Sequence, residues 1–409
     1  MLLTVAIENY KGIGEKQYID FIASAKNEFE DTLYSVNDSL NVNSGLCIVG
    51  PNGAGKSHLL HGLYHFSYFI SRSESPFKPE PFMLSKKWEN KPTKFEALYY
   101  CKKIKSFLNY EIEMLNGKVT YEKLVSRLNR KSSKNKVIFE RKNNSVKIGR
   151  KVNVSEEMIN ATIDSGASLV KFAKGINIPE LKSVFDIASN TVLFTPTMIQ
   201  DIGHTLVKQM FGCESLGEIN DEKKYNELFK SINLNLEICT KLIKSFGVPI
   251  DKIELVQVNR ELDIFIIPKN IDNDKIRFTL DQARNFYSTG SFNLMVITLL
   301  IVGFTPYHST VLLDEIDGSF HHKLTLGVLE VLRESDARTN SQFVISTHDI
   351  MVLDNNFRRD AILTVTKKDD CLETRVSKVS DYSVRKDAKL SQKYFSNEFG
   401  ALPDILMDN

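Results

Sequence analysis

Cysteine is scarce and never paired in this 409-residue chain: Cys47, Cys101, Cys213, Cys239 and Cys371 are scattered, with no close pair at metal-ligand spacing. An odd, dispersed set argues against a disulfide framework and fits reduced thiols. Long apolar runs are missing too. The longest, Phe292 to Phe304, falls short of the about 20 residues that a membrane-spanning helix needs. No basic n-region or cleavage site accompanies the start Met1-Leu2-Leu3-Thr4-Val5, which enters strand-like alternation at once. A soluble cytoplasmic protein with no membrane partner is the expectation. An excess of charge of one sign is also absent, since 53 Lys+Arg face 51 Asp+Glu for a net charge of +2. That balance neither demands nor excludes nucleic acid, because a basic face can hide in a neutral total. No internal repeat and no sustained heptad is evident, which sets aside solenoids and long coiled coils.

What is there belongs to a globular protein: 42% of residues are apolar and 25% charged. The length suits two ordinary domains, or one carrying a large insertion. Gly45–Val49 is a short apolar run ending on a glycine, the pattern of a buried parallel strand. Ser57–Ser71 has no breaker and carries Leu59, Leu60, Leu63, Phe66 and Phe69 at helical spacing. After a proline-rich loop come three strand-like segments, Lys94–Cys101, Phe107–Leu115 and Lys136–Glu140. The stretch Arg127–Lys151 holds ten Lys/Arg and a single acid, Glu140. Residues 155–250 read as mainly helical, interrupted by the strand-like Thr191–Thr195. Further on, Val311–Leu313 and Gln342–Ser346 are buried-strand runs with a helix, Leu324–Leu332, between them.

The chemistry begins at Gly50-Pro51-Asn52-Gly53-Ala54-Gly55-Lys56-Ser57, which fits G-x-x-x-x-G-K-[ST] between a strand and a helix. Its glycines let the backbone curl so that N–H groups face phosphate oxygens, and the helix N-terminus adds partial positive charge. Lys56 is placed to reach the β- and γ-phosphates of ATP, and the Ser57 hydroxyl to ligate Mg²⁺. The strand Val311–Leu313 ends in Asp314 and Glu315. An acid after a buried strand sits at the carboxyl edge of a sheet, where open α/β folds bind ligands. Asp314 would hold the magnesium and Glu315 would act as general base on the attacking water. Roughly 260 residues separate this pair from the glycine-rich loop, far more than in ring-forming AAA+ modules. Shortly before it, Ser288 and Gly290 open the apolar helix Asn293–Val302. This resembles the signature of ABC-type ATPases, in which such residues grip the γ-phosphate held by a partner subunit. His348, in Ser346-Thr347-His348-Asp349 after the next buried strand, resembles their switch histidine. Gln200 is the candidate for the glutamine that lines such sites.

Together these elements resemble the SMC/Rad50/RecF-like branch of ABC ATPases, and within it the bacterial AAA_15 family. The carrying segments are Ile7–Ile13, Phe139-Glu140-Arg141, Asp314–His321, Phe357-Arg358-Arg359-Asp360, Val384–Asp387 and the tail Tyr394–Pro403. Asn397 stands where the family often has glycine, and His322 where proline is common. The resemblance implies an α/β fold: an ABC-type P-loop NTPase with a mixed sheet, N-terminal antiparallel strands and a helical insertion. Residues 1–74 would be the N-terminal part of the ATPase core with the P-loop. Residues 75–154 would be a strand-rich part with a basic hairpin, 155–254 a helical insertion, and 255–409 the C-terminal part of the core. It implies an ATP-sandwich homodimer or higher oligomer, as found in anti-phage defence systems. There an ATPase acts as sensor or scaffold for a toxic effector of the nuclease (TOPRIM) type, answering DNA or a phage-encoded trigger protein.

The alternative is a RecF-like DNA-binding ATPase, with Arg127–Lys151 tracking phosphates. Duplex binding through that segment should weaken steeply with salt, with a log–log slope of about 0.9 per neutralised phosphate. A fluorescence titration in which binding is absent or indifferent to salt removes the direct DNA role.

Overall fold

The computed structural model describes residues 1–409 except 25–27, 73–76, 151, 153–155, 163–165, 212–220, 259–260, 271–275, 305–307, 318–320, 340, 355, 368–371, 386–387 and 403–409. Cys213, Cys371, Gly318-Ser319-Phe320, Lys386-Asp387 and Pro403 therefore lie outside the described residues. Contacts divide the chain into two units. One comprises Met1–Leu193, Leu312–Asp314 and Gln342–Asn409, and the other Phe194–Val311 and Glu315–Ser341.

The first unit opens with β1 (Leu2–Glu8), β2 (Gln17–Asp20), the hairpin β3 (Leu33–Asn37) and β4 (Leu40–Asn43), then β5 (Gly45–Val49) and α1 (Lys56–Ser71). Strands β6 (Thr93–Cys101), β7 (Ser106–Leu115), β8 (Lys118–Leu128), β9 (Lys136–Lys142) and β10 (Ser145–Ile148) follow. They join β1 and β2 in an antiparallel sheet of order β10-β9-β8-β7-β6-β1-β2. Alternation explains its covered face. In β6, Phe95, Ala97 and Tyr99 are buried while Lys94, Glu96 and Leu98 are less so. Phe66 of α1 stacks on Phe95 at 5.2 Å between ring centroids, which seats the helix against this sheet. Strands β8 and β10 come in addition to the three segments expected here.

Helices α2 (Glu156–Thr162) and α3 (Pro179–Ser189) lead to β11 (Thr191–Phe194). A second sheet has the order β11-β15-β16-β5-β17-β18, with β15 (Thr310–Leu313), β16 (Gln342–Ser346), β17 (Ile362–Lys367) and β18 (Thr374–Lys378). β5 runs parallel to β16 on one side and β17 on the other, and β18 is antiparallel to β17. Every residue of β5 and β16 is buried, as expected of continuous apolar strands covered on both faces.

The second unit is built from α4 (Pro196–Met210), α5 (Glu222–Ser245), the sheet β12 (Ile250–Val258), β13 (Glu261–Pro268) and β14 (Phe278–Thr279), α6 (Leu280–Phe286), α7 (Thr289–Phe304) and α8 (His322–Thr339). Helix α7 is apolar nearly all round; Leu294, Met295, Val296, Leu299, Leu300 and Ile301 are all buried. Such a helix needs cover on every side, and α4, α5 and α8 pack on it. The last helix, α9 (Leu390–Phe395), returns to the first unit. The fold is thus α/β with a mixed sheet, N-terminal antiparallel strands and inserted helices. Among the described residues no helix is long and apolar enough to cross a membrane.

Two ionic clusters tie loops to this frame. Arg358 donates to both oxygens of Asp360 at 3.0 Å, and Asp360 also receives the Ser24 amide and hydroxyl at 2.5 and 2.6 Å. Burial works to raise the Asp360 carboxyl, but the Arg358 and Ser24 hydrogen bonds prevail and hold it below the usual range. In the antiparallel sheet, Arg141 and Glu122 are fully buried 3.4 Å apart. Arg141 also donates to the Ala167 and Asn143 carbonyls, while Glu122 accepts from Tyr110 and the Leu169 amide. Burial pushes the Glu122 carboxyl up, opposed by the Arg141 charge. Removing one partner of such a pair leaves a buried charge uncompensated. Arg141→Ala should therefore lower the unfolding free energy by about 3–5 kcal/mol. Urea denaturation measures it, and a loss near zero would show the pair to be dispensable.

Candidate functional site

Strand β5 ends at Val49, and the loop Gly50–Gly55 carries the chain into α1. Two glycines explain its path. A Cβ on Gly50 would lie 2.1 Å from the Val365 carbonyl oxygen of β17. Gly55 has φ 112°, and a Cβ there would meet the Thr374 hydroxyl at 2.2 Å. That hydroxyl donates to the Ala54 carbonyl at 2.9 Å, so β17 and β18 form the wall on which the loop is moulded. Pro51 is half-buried, Asn52 and Gly53 are exposed, Ala54 and Gly55 are buried, and Ser57 is half-buried. The N-terminus of α1 has no side-chain cap and no acid in its first turn. It therefore keeps the anion-attracting character of a helix start. Lys56 is buried, and its ammonium donates to the Gly50 carbonyl at 2.8 Å and the Pro51 carbonyl at 3.2 Å.

Asp314 follows β15 and is only 8% exposed. Its Oδ1 accepts a 2.5 Å hydrogen bond from Ser346, at the end of the neighbouring β16. Its Oδ2 lies 3.9 Å from His61 Nε2, and His61 is one helical turn beyond Ser57 on the same face of α1. Burial holds the His61 imidazole below its ordinary value, with the Asp314 charge acting the other way. The carboxyl ends of β15, β16 and β5 thus deliver Asp314, Ser346 with His348, and the glycine-rich loop to one edge of the sheet. Ligands bind at such edges in α/β folds. His348 is exposed and lines a cavity of about 330 Å³ together with Gly50, Pro51 and Asn52.

The remaining candidates belong to the second unit. Glu315 directly follows Asp314, is exposed, and has φ 49°, an uncommon backbone state for glutamate that costs energy and often marks function. Ser288 is exposed and its hydroxyl accepts the Ser291 amide at 3.3 Å, capping α7; Gly290 sits half-buried in the first turn. Gln200 is half-buried in α4, just past its first turn.

A triphosphate with magnesium fits the residues present. The backbone cradle has no room for a Cβ at Gly50 or Gly55, and Ser57 and Asp314 supply the hard oxygen donors that Mg²⁺ takes alongside phosphates. Three groups here escape sequence reasoning: Ser346 enters the motif only as a neighbour of His348, the contact of His61 with Asp314 rests on tertiary proximity, and Thr374 belongs to no motif.

No family model matches the chain, and no curated protein matches it. Solved structures do. An SMC head bound to the C-winged helix domain of ScpA is 15% identical with a TM-score of 0.47, covering 93% of this chain and 98% of that one. The SMC head domain from Thermotoga maritima is 14% identical with a TM-score of 0.40, covering 92% and 98%.

A methyl group at Gly55 would combine a disfavoured left-handed backbone with a clash against Thr374. Gly55→Ala should destabilise the chain by at least about 1–2 kcal/mol and weaken nucleotide binding in the same variant. An unshifted denaturation midpoint with wild-type nucleotide affinity would show that the loop has slack the geometry denies.

Proposed function

We propose that this chain is an ATPase of the ABC type, akin to the SMC/Rad50/RecF-like branch, which binds ATP with Mg²⁺ and closes around it as an oligomer. The observation that carries this reading is the meeting of the moulded loop Gly50–Ser57 with the buried Asp314 and with His348 at one sheet edge. On binding, Lys56 exchanges the Gly50 and Pro51 carbonyls for the β- and γ-phosphate oxygens, while loop and helix amides take the remaining phosphate oxygens. Ser57 and Asp314 would hold Mg²⁺, which when bound would neutralise phosphate charge. Ser346 fixes the Asp314 carboxylate in place. Glu315 accepts a proton from the attacking water, and His348 donates to the γ-phosphate. Ser288 and Gly290, at the start of α7, meet the γ-phosphate bound by another copy, so each loop is half of a site.

The AAA_15 resemblance gives this cycle its use. ATP-driven closing and opening holds and releases a toxic, nuclease-like effector in bacterial anti-phage defence, in response to a phage-encoded trigger. A second reading, the DNA-binding ATPase, is favoured by the exposed cations Arg127, Arg130, Lys131, Lys134, Lys142, Lys147 and Arg150 around β8, β9 and β10.

Glu315→Gln should retain ATP binding, slow hydrolysis by about two to four orders of magnitude, and accumulate an ATP-bound oligomer seen by light scattering. Lys56→Ala should lose nucleotide affinity itself, and Ser288→Arg should impair hydrolysis while the isolated subunit still binds. Unchanged turnover in Glu315→Gln refutes the role of that residue.

A further inference from the structure

The cavity beside the loop has a second wall that lies outside the nucleotide-binding motifs. Opposite Gly50–Asn52 and His348 stand Ile350, Tyr394, Phe395 and Leu402. Three of these come from the C-terminal segment Leu390–Leu402, which is rigidly self-braced. Tyr394 donates to the Ala401 carbonyl at 2.6 Å, and the Leu402 amide donates to Asn397 Oδ1 at 3.2 Å. Asn397 has φ 57°, a left-handed state that asparagine tolerates.

The segment is also clamped to the loop that carries His348. After His348 comes Asp349, whose side chain caps the 3-10 helix Ile350–Leu353, and Asp354 follows at once. Asp354 accepts both the amide and the hydroxyl of Ser391, at 2.9 and 2.5 Å. Ser391 is itself 4% exposed. The path from His348 to the first turn of α9 is therefore a short helical turn closed by a charge-assisted double hydrogen bond. Phe395, at the far end of α9, is 60% exposed, with its ring edge-on to Tyr394. The wall is braced within itself, is clamped through Asp354 to the segment that follows His348, and lines one cavity with Gly50–Asn52.

From this geometry we propose that Leu390–Leu402 is a positioning element for His348 and the part of the chain that reports the state of the nucleotide. Through Asp354 and Ser391 it sets where His348 stands relative to Gly50–Asn52. In return, a γ-phosphate that engages His348 shifts the wall and changes the exposure of Phe395 to a partner. The proposal rests on the ATPase reading and goes beyond it by assigning a task to a segment outside the nucleotide-binding residues.

Two measurements test it on the full chain. In steady-state kinetics, Ser391→Ala should lower kcat about ten- to a hundredfold with KM for ATP nearly unchanged, since misplacement of a group touching the transition state has that scale. Lys56→Ala, by contrast, should act on binding. In hydrogen exchange of Glu315→Gln, amides of Asn397, Gly400 and Leu402 should change protection by about tenfold or more between the ADP and ATP states. The double variant Glu315→Gln/Ser391→Ala should keep protection of Gly50–Ser57 by ATP and lose the change at 397–402. Protection at Gly50–Ser57 with no response at 397–402, or a response that survives Ser391→Ala, overturns the proposal while leaving the ATPase reading intact. Absence of any ATP-dependent protection at Gly50–Ser57 overturns both.

Discussion

The close approach of the loop Gly50–Gly55 to β17 and β18 is the constraint on which the remainder depends. With the Val365 carbonyl against Gly50 and the Thr374 hydroxyl against Gly55, the backbone has one path from β5 into α1. That path fixes where α1 starts, and with it the positions of Lys56, Ser57 and His61. Strand β5 can serve as the axis of this arrangement because β16 and β17 flank it in parallel, so that neighbouring strand ends open onto the same edge. Asp314 is then held by Ser346 rather than left to rotate. Placing a buried carboxylate costs less when a hydroxyl accompanies it.

Much of this was legible in the sequence because the signals are local. The glycine spacing of 50–57 states a backbone path, and the apolar runs Gly45–Val49 and Gln342–Ser346 state burial on both faces. Such runs alternating with helical periodicity agree with the α/β class, while the mixed sheet was implied by the family resemblance. Strands β8 and β10 were not legible, because about half their residues are charged or polar, among them Glu122, whose burial depends on Arg141 from the neighbouring strand. The basic stretch misled in one respect. Arg141 looks like one surface cation among ten, yet it is fully buried against Glu122, and Lys136 is paired with Glu180. Composition counts charges but cannot see the partner on another strand. The contacts of Ser346 and His61 with Asp314 were hidden for the same reason.

Segments that resemble family motifs without chemistry of their own find mechanical roles. Asn9, in the stretch Ile7–Ile13, is fully buried; it donates to the Trp88 and Lys91 carbonyls and accepts the Phe82 amide. It thereby pins the proline-rich loop to the end of β1. Arg358 and Asp360, in Phe357–Asp360, knit the turn before β17 to Ser24 and Glu28. Both motifs stabilise the surroundings of the two strands that shape the glycine-rich loop and its flank.

The satisfied state of Lys56 has a consequence for the chain at rest. An ammonium buried to this degree would be a burden if it waited for a phosphate with nothing to bind. Because the Gly50 and Pro51 carbonyls receive it, the loop satisfies its own cation and is not a spring under tension. In the cycle proposed above, nucleotide arrival would be a trade of these neutral acceptors for charged ones. On that reading the chain would idle between cycles without the cost of an unsatisfied buried cation.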